Sequence, residues 1–266
     1  MNLEIFESKL KCEYSSRATL KNYLCVARAY NTYLETAVDK DPAVLIRKYV
    51  ILKLQGKAAK TINLHRAAIF TLYRLVEGII LKNDDVPRRK EPKKLPVVIG
   101  SDIVLKAIAA EMNLKHRIIL QIFYGCGIRL WEMQNLRVKN VRSDKGYLWL
   151  QDTKGQKERI IPIPKSVRRG LYDYIHGKNP DDLIFGGLCG RTFGKVVGNA
   201  FERIGAKASP HKLRHSFATD QVASGQPVEK VQRWLGHSDA KTTMIYVHLS
   251  EAQLSESTDL LEEKGV

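Results

Sequence analysis

Residues 86–96 read VPRRKEPKKLP, and this stretch decides how the rest of the chain can fold. Pro87, Pro92 and Pro96 lack the amide hydrogen that a helix or an inner strand requires, so regular structure stops here. Arg88, Arg89, Lys90, Lys93 and Lys94 crowd the same segment, which suits a basic, extended connector. The 266 residues are enough for two ordinary domains. The organisation read from this is a domain over 1–86, a linker over 87–96 and a second domain over 97–266.

Before the connector, apolar residues recur at helical spacing. One stripe runs Leu20, Tyr23, Leu24, Ala27, Tyr30, Tyr33 and Leu34; a second runs Leu45, Ile46, Tyr49 and Val50. A third runs Ile62, Leu64, Ala68, Ile69, Leu72, Tyr73 and Val76. Three or four amphipathic helices with short joints imply a small bundle. After the connector, Ser101 or Asp102 is placed to cap a new helix. Residues 114–124, LKHRIILQIFY, are apolar almost all round, as a central helix would be. The GCG at 125–127 is expected to break it, and 128–136 to open another. YLWLQD at 147–152 and ERIIPI at 158–163 alternate as strands, with TKGQK as the hairpin turn between them. Residues 165–176 and 191–204 supply two further helices. The fold class is mainly α with a small antiparallel β-sheet.

The formal charge is +16 and the isoelectric point is near 9.7, which favours a polyanionic partner, nucleic acid ahead of an acidic membrane. Residues 1–85 carry 14 basic and 9 acidic groups, and residues 97–250 carry 24 and 13, so both domains share the basic character. Residues 251–266 carry 1 and 5, so only the tail reverses it. Cys12, Cys25, Cys126 and Cys189 form no CxxC pair and no zinc-type cluster, and read as free thiols in a reducing cytoplasm. With no signal peptide and no apolar run long enough for a bilayer, the expected location is the cytoplasm, on the nucleoid.

The chemistry concentrates in Pro210–Ser250, PHKLRHSFATDQVASGQPVEKVQRWLGHSDAKTTMIYVHLS. His211 and Arg214 are three apart and share one helical face. Residues 213–224 have helical composition, with Pro210 at the start. Pro227 is placed to open a second helix and Gly236 to close it, which leaves His237 at a helix exit. Ser238 or Asp239 can cap the next helix, which carries Tyr246. These residue types at these spacings suit attack on a phosphodiester.

HKLRHSFAT, then LGHS, then a tyrosine nine residues after that histidine, resembles the C-terminal signature of the tyrosine site-specific recombinases, or phage-type integrases. The resemblance maps the first arginine of that family to Arg129 in GCGIRLWEMQNL and its lysine to Lys154 in TKGQKERIIPIP. The His-x-x-Arg pair maps to His211 and Arg214, the next histidine to His237 and the nucleophile to Tyr246. It implies an N-terminal core-binding, SAM-like bundle and a C-terminal mixed α+β catalytic domain. KTINLHRAAIFTLYRLV resembles the core-binding domain more loosely. Lys57, Lys60, Thr61, Asn63 and Arg66 there, with Arg88 and Arg89 in the linker, are candidates for DNA contact. Trp131 stands where most members have a small residue. Glu132 reads either as a brace for Arg129 or as an ordinary surface carboxylate.

The activity so implied is cleavage and rejoining of DNA without metal, ATP or other cofactor. Arg129 and Arg214 would neutralise the phosphate oxygens as planar, permanently charged donors. Tyr246 would attack, His211 would take its proton, Lys154 would protonate the leaving 5′ oxygen and His237 would hydrogen-bond the phosphate. The implied partners are double-stranded DNA with a specific recombination site and, in a tetramer on it, further copies of the chain or a paired recombinase. The acidic tail either docks on a neighbouring copy or frays. The compact size is similar to Xer-type enzymes, integron integrases and small phage integrases. A type IB topoisomerase and a non-catalytic architectural DNA-binding factor are the alternatives; the complete residue set and the LGHS motif favour the recombinase.

Overall fold

The computed structural model of the chain describes residues 1–91, 97–151 and 158–236. Its backbone divides into two units, Met1–Lys94 and Leu95–Val266.

In the first unit, each of the first three helices starts at a side-chain cap. The Asn2 side chain accepts from the amides of Glu4 and Ile5 at the head of α1 (Leu3–Glu13). Ser16 caps α2 (Arg17–Leu34), and Asp41 caps α3 (Pro42–Lys53), where Pro42 occupies the first turn. α4 (Ala59–Leu72) runs on as a π turn over Tyr73–Glu77 and stops at Gly78, whose φ is 70°. Phe6, Leu10, Tyr30, Ile46, Ile69 and Leu72 meet in a closed core. The sequence stripes did not include α1, because only Phe6 and Leu10 of that helix are buried.

Two α4 residues expected to contact DNA turn inward instead. The Arg66 guanidinium donates to the carbonyl of Val86 and, at 2.8 Å, to Asn83 Oδ1, and it lies 4.0 Å over the Phe70 ring. Asn63 holds the Arg89 backbone from both sides, accepting its N–H at 2.9 Å and donating to its carbonyl at 3.0 Å. Its amide also reaches Glu91 Oε1 at 2.8 Å. Buried polar groups need internal partners, and the chain after α4 supplies them. Asn63 and Arg66 are therefore fasteners of residues 83–91, and that part of the connector lies against α4 rather than free. Lys57, Lys60, Arg88 and Arg89 have exposed side chains, and Thr61 is half-buried.

The second unit is built around α6 (Leu114–Cys126), which buries Ile118, Ile119, Leu120, Ile122, Phe123 and Tyr124. α5 (Ser101–Ala109) precedes it; its cap is Gly100, and Ser101 is already helical. α7 (Leu130–Gln134) follows, shorter than the 128–136 expected. The sheet is antiparallel in the order β1 (Val141–Arg142), β2 (Tyr147–Gln151), β3 (Glu158–Pro162). β1 has only two residues, too few to show alternation. α8 (Lys165–Ile175), α9 (Gly190–Glu202), α10 (Pro210–Ala223) and α11 (Val228–Leu235) complete the described unit. Buried Ser216 of α10 accepts from the Ile99 amide and donates to the Ile99 carbonyl, both at 2.9 Å, and so ties α10 to the start of the unit.

Helix α6 continues through Gly125 and Cys126, and only Gly127 ends it, in the left-handed region at φ 58°. A Cβ on Gly127 would lie 2.2 Å from Cδ1 of Phe217, in the buried face of α10. Gly127→Ala combines left-handed strain of about 1–2 kcal/mol with overpacking of about 1–3 kcal/mol. A urea melt of this variant should show a loss of a few kcal/mol; wild-type stability would mean that the ring relaxes freely.

Candidate active site

The loop after α6, the first half of α10 and strand β3 bring three arginines to the end of α11. Arg129 is the N-cap residue of α7. Its backbone N–H donates to Glu132 Oε2 at 2.6 Å, its Nη1 to Glu132 Oε1 at 3.1 Å, and its Nη2 to the Gly236 carbonyl at 2.6 Å. Arg214, 6 % exposed, sits in α10; Nη1 donates to the Gly127 carbonyl and Nη2 to the Leu235 carbonyl, each at 2.5 Å. Arg159 comes from β3; Nε donates to the Trp234 carbonyl and Nη2 to Glu132 Oε2, each at 2.7 Å.

This arrangement follows from how a helix ends. The last carbonyls of α11 have no partner within the helix and carry its negative dipole end. Trp234, Leu235 and Gly236 present three such oxygens in succession, and a different arginine takes each. Gly236, left-handed at φ 63°, ends the helix beside them, and a Cβ there would come within 3.1 Å of the Arg159 side chain. Guanidinium suits the task because its fork donates in several directions from one rigid plane.

Glu132 is buried, 4 % exposed, so it is the brace and not a surface carboxylate. Burial alone would raise its pKa, but the hydrogen bond and charge of Arg159, with the Arg129 amide and guanidinium, hold it below the ordinary glutamate value of 4.5. A depressed carboxylate contributes stability above its unfolded value and loses it as pH falls through the folded one. Glu132→Gln should therefore melt below wild type at neutral pH, with the gap closing as pH falls below about 4.5. A gap that stays constant down to pH 3 would remove Glu132 as the titrating group.

His211 lies in the first turn of α10 with its side chain exposed, one turn from Arg214. Its neighbour His215 is held low, first by burial and then by the charges of His211 and Arg214. Lys154, His237 and Tyr246 lie outside the described residues, as do the TKGQK turn, the Ser238 or Asp239 cap and the acidic tail. The structure thus brings Arg129 and Arg214 onto one helix end, with His211 on the helix that carries Arg214.

The sequence reading missed Arg159, although a signal was present. In β3, Arg159 shares a face with Ile161, which is buried against Leu148. Its cross-strand partner Leu150 is buried too. A charge on the inward face of a strand requires partners, and so marks a site. Among the described residues, no group of three or more His, Cys, Asp or Glu can hold a metal ion, and no helix is long and apolar enough to cross a membrane.

Comparison with known proteins identifies the family. Residues 102–253 match the family described as the phage integrase family. Over 266 residues the chain is 28 % identical to tyrosine recombinase XerA of Pyrococcus horikoshii, covering 97 % of this chain and 92 % of that protein. Over 229 residues it is 31 % identical to tyrosine recombinase XerD of Oceanobacillus iheyensis, covering 77 % of each. The crystal structure of a lambda integrase dimer bound to a COC′ core site superposes with a TM-score of 0.72 at 17 % identity, covering 96 % of both chains, and shares the fold. With more than half its length matched, the chain belongs to the phage integrase family, the tyrosine recombinases.

Proposed function

We propose that the chain is a site-specific DNA recombinase that cleaves and rejoins strands through a covalent 3′-phosphotyrosyl intermediate. The observation that carries this reading is the convergence of Arg129 and Arg214 on the end of α11, directly before His237 in sequence. Among the described residues, three guanidiniums meet one carboxylate, Glu132, and the positive excess suits a phosphodiester. Arg129, with a quarter of its side chain exposed, keeps N–H groups beyond the two it commits to Glu132 and Gly236.

In this mechanism the Tyr246 oxygen attacks phosphorus while Arg129 and Arg214 neutralise the non-bridging oxygens. His211 takes the phenolic proton, and His237 hydrogen-bonds the phosphate in the transition state. The P–O5′ bond breaks, and Lys154 protonates the departing oxygen. A 5′-hydroxyl from a partner strand then attacks the phosphotyrosine, and each proton returns by the reverse route. The ester conserves the bond, so no ATP is needed to reseal the strand.

The first unit serves as the core-binding domain. Lys57, Lys60 and Thr61 lie at the start of α4, whose N-terminus has no side-chain cap, and would meet phosphates there with Arg88 and Arg89. The assembly is a tetramer on a specific duplex site, joined through the C-terminal tail, in the cytoplasm on the nucleoid.

The test begins with the sequence that the protein selects from a randomised duplex pool, rebuilt as a nicked suicide duplex and incubated with EDTA. An SDS-resistant protein–DNA band is expected, with the nucleotide carried on the tryptic peptide 242–264, which contains Tyr246. Tight binding with no covalent band would overturn the reading in favour of an architectural DNA-binding factor.

A further inference from the structure

The mechanism above uses Arg129 and Arg214 but leaves Arg159 without a part. Arg159 is nonetheless firmly engaged in the cluster. Its side chain is 8 % exposed, it joins Glu132 to the Trp234 carbonyl, and it arrives from β3, an element that carries none of the assigned described residues. A buried arginine gains little as a mere stabiliser, because desolvation offsets much of its attraction to a carboxylate. What it does supply is a fixed geometry: two donors of one rigid plane set the distance between the carboxylate and the helix end.

We propose that Arg159 is a positioning residue for strand cleavage, locking the Glu132 brace of Arg129 to the end of α11. The proposal rests on the active-site reading above. The connections form a closed circuit. Glu132 holds the Arg129 guanidinium and backbone, and Arg129 holds Gly236. Arg159 holds the same carboxylate oxygen that accepts the Arg129 amide, and it also holds Trp234, two residues before Gly236. Arg214 closes the middle carbonyl, Leu235. Without Arg159, the carboxylate is free to swing with Arg129, and α11 loses one of three clamps. The guanidinium would then meet the phosphate in several geometries instead of one. Misplacement of about 1 Å in such a site costs about 100-fold in rate. Arg159 is too enclosed to serve as a general DNA contact, so affinity should change far less than the rate.

The experiment compares wild type, Arg159→Gln and Arg159→Lys in single-turnover cleavage of the selected nicked duplex at saturating DNA, across pH. Each variant is also measured for DNA affinity and thermal melting. Arg159→Gln should bind DNA nearly as wild type does but cleave about 100-fold more slowly. Its rate should fall off at a higher pH on the acid side, because Glu132 has lost the cation that most lowers its pKa. Arg159→Lys should restore the acid side, since it returns a charge to Glu132, but only part of the rate, since one ammonium does not reproduce the fork. In Glu132→Gln/Arg159→Gln the two losses should not add. A wild-type rate in Arg159→Gln would overturn the proposal, as would a deficit explained by its melted fraction with the acid limb unmoved. Absence of adduct from wild type itself would instead overturn the active-site reading, and this proposal with it.

Discussion

Tyr246→Phe is expected to abolish the covalent protein–DNA adduct while leaving sequence-selective binding intact. The change removes one oxygen, so its cost falls on the chemistry. Loss of a nucleophile of this type costs on the order of 10⁴–10⁶-fold. Seven of the other tyrosines are poor substitutes for a physical reason. A phenol must ionise as it attacks, and burial opposes that. Of the 11 tyrosines, Tyr30 and Tyr124 have their pKa driven far upward, chiefly by burial, and burial also raises Tyr23, Tyr49, Tyr73, Tyr172 and Tyr174. Tyr124 is further committed as a donor to Asp220 at 2.8 Å. The suicide-duplex assay decides the matter: an SDS-resistant band from Tyr246→Phe would assign the nucleophile elsewhere.

Arg214→Gln is expected to cost cleavage about 10³–10⁵-fold, the range for an arginine that meets transition-state charge on phosphorus. It should also lower stability by about 2–4 kcal/mol, because the carbonyls of Gly127 and Leu235 lose their charged donor. The two effects separate cleanly. A melt gives the folded fraction, and single-turnover cleavage at a temperature where the variant is fully folded gives the rate. Arg214→Lys should recover little of either, since one ammonium cannot hold two carbonyls on different elements and face a phosphate as well. If the folded Gln variant cleaves within about tenfold of wild type, Arg214 is a structural clamp and not the phosphate donor proposed.

Local signals in the chain were good guides wherever one residue carries the physics. Pro210 and Pro227 mark the starts of α10 and α11. The alternation of YLWLQ and ERIIP appears as β2 and β3 in register, with Leu148 opposite Ile161. Such signals failed where the decisive partner is distant. Asn63 and Arg66 have the types and exposed-looking spacing of DNA contacts, yet each is buried by a segment about twenty or more residues later. Glu132 remained undecided in sequence between brace and surface carboxylate, because one of the two arginines that its carboxylate holds, Arg159, is 27 residues away.

The sequence alone determined the mainly helical class, the position of the small sheet and the family, because caps, periodicity and short motifs act within a few residues of one another. It also named Arg129 and Arg214 as a pair. Only the tertiary structure decided what those arginines hold. Three orphan carbonyls at the end of α11 attract three guanidiniums from α7, α10 and β3, and a buried carboxylate ties two of them together. The guanidiniums and the carbonyls they hold are 21 to 107 residues apart. No local pattern encodes such a match, because it is made by unsatisfied backbone groups that exist only once the helix has formed and its end has been buried.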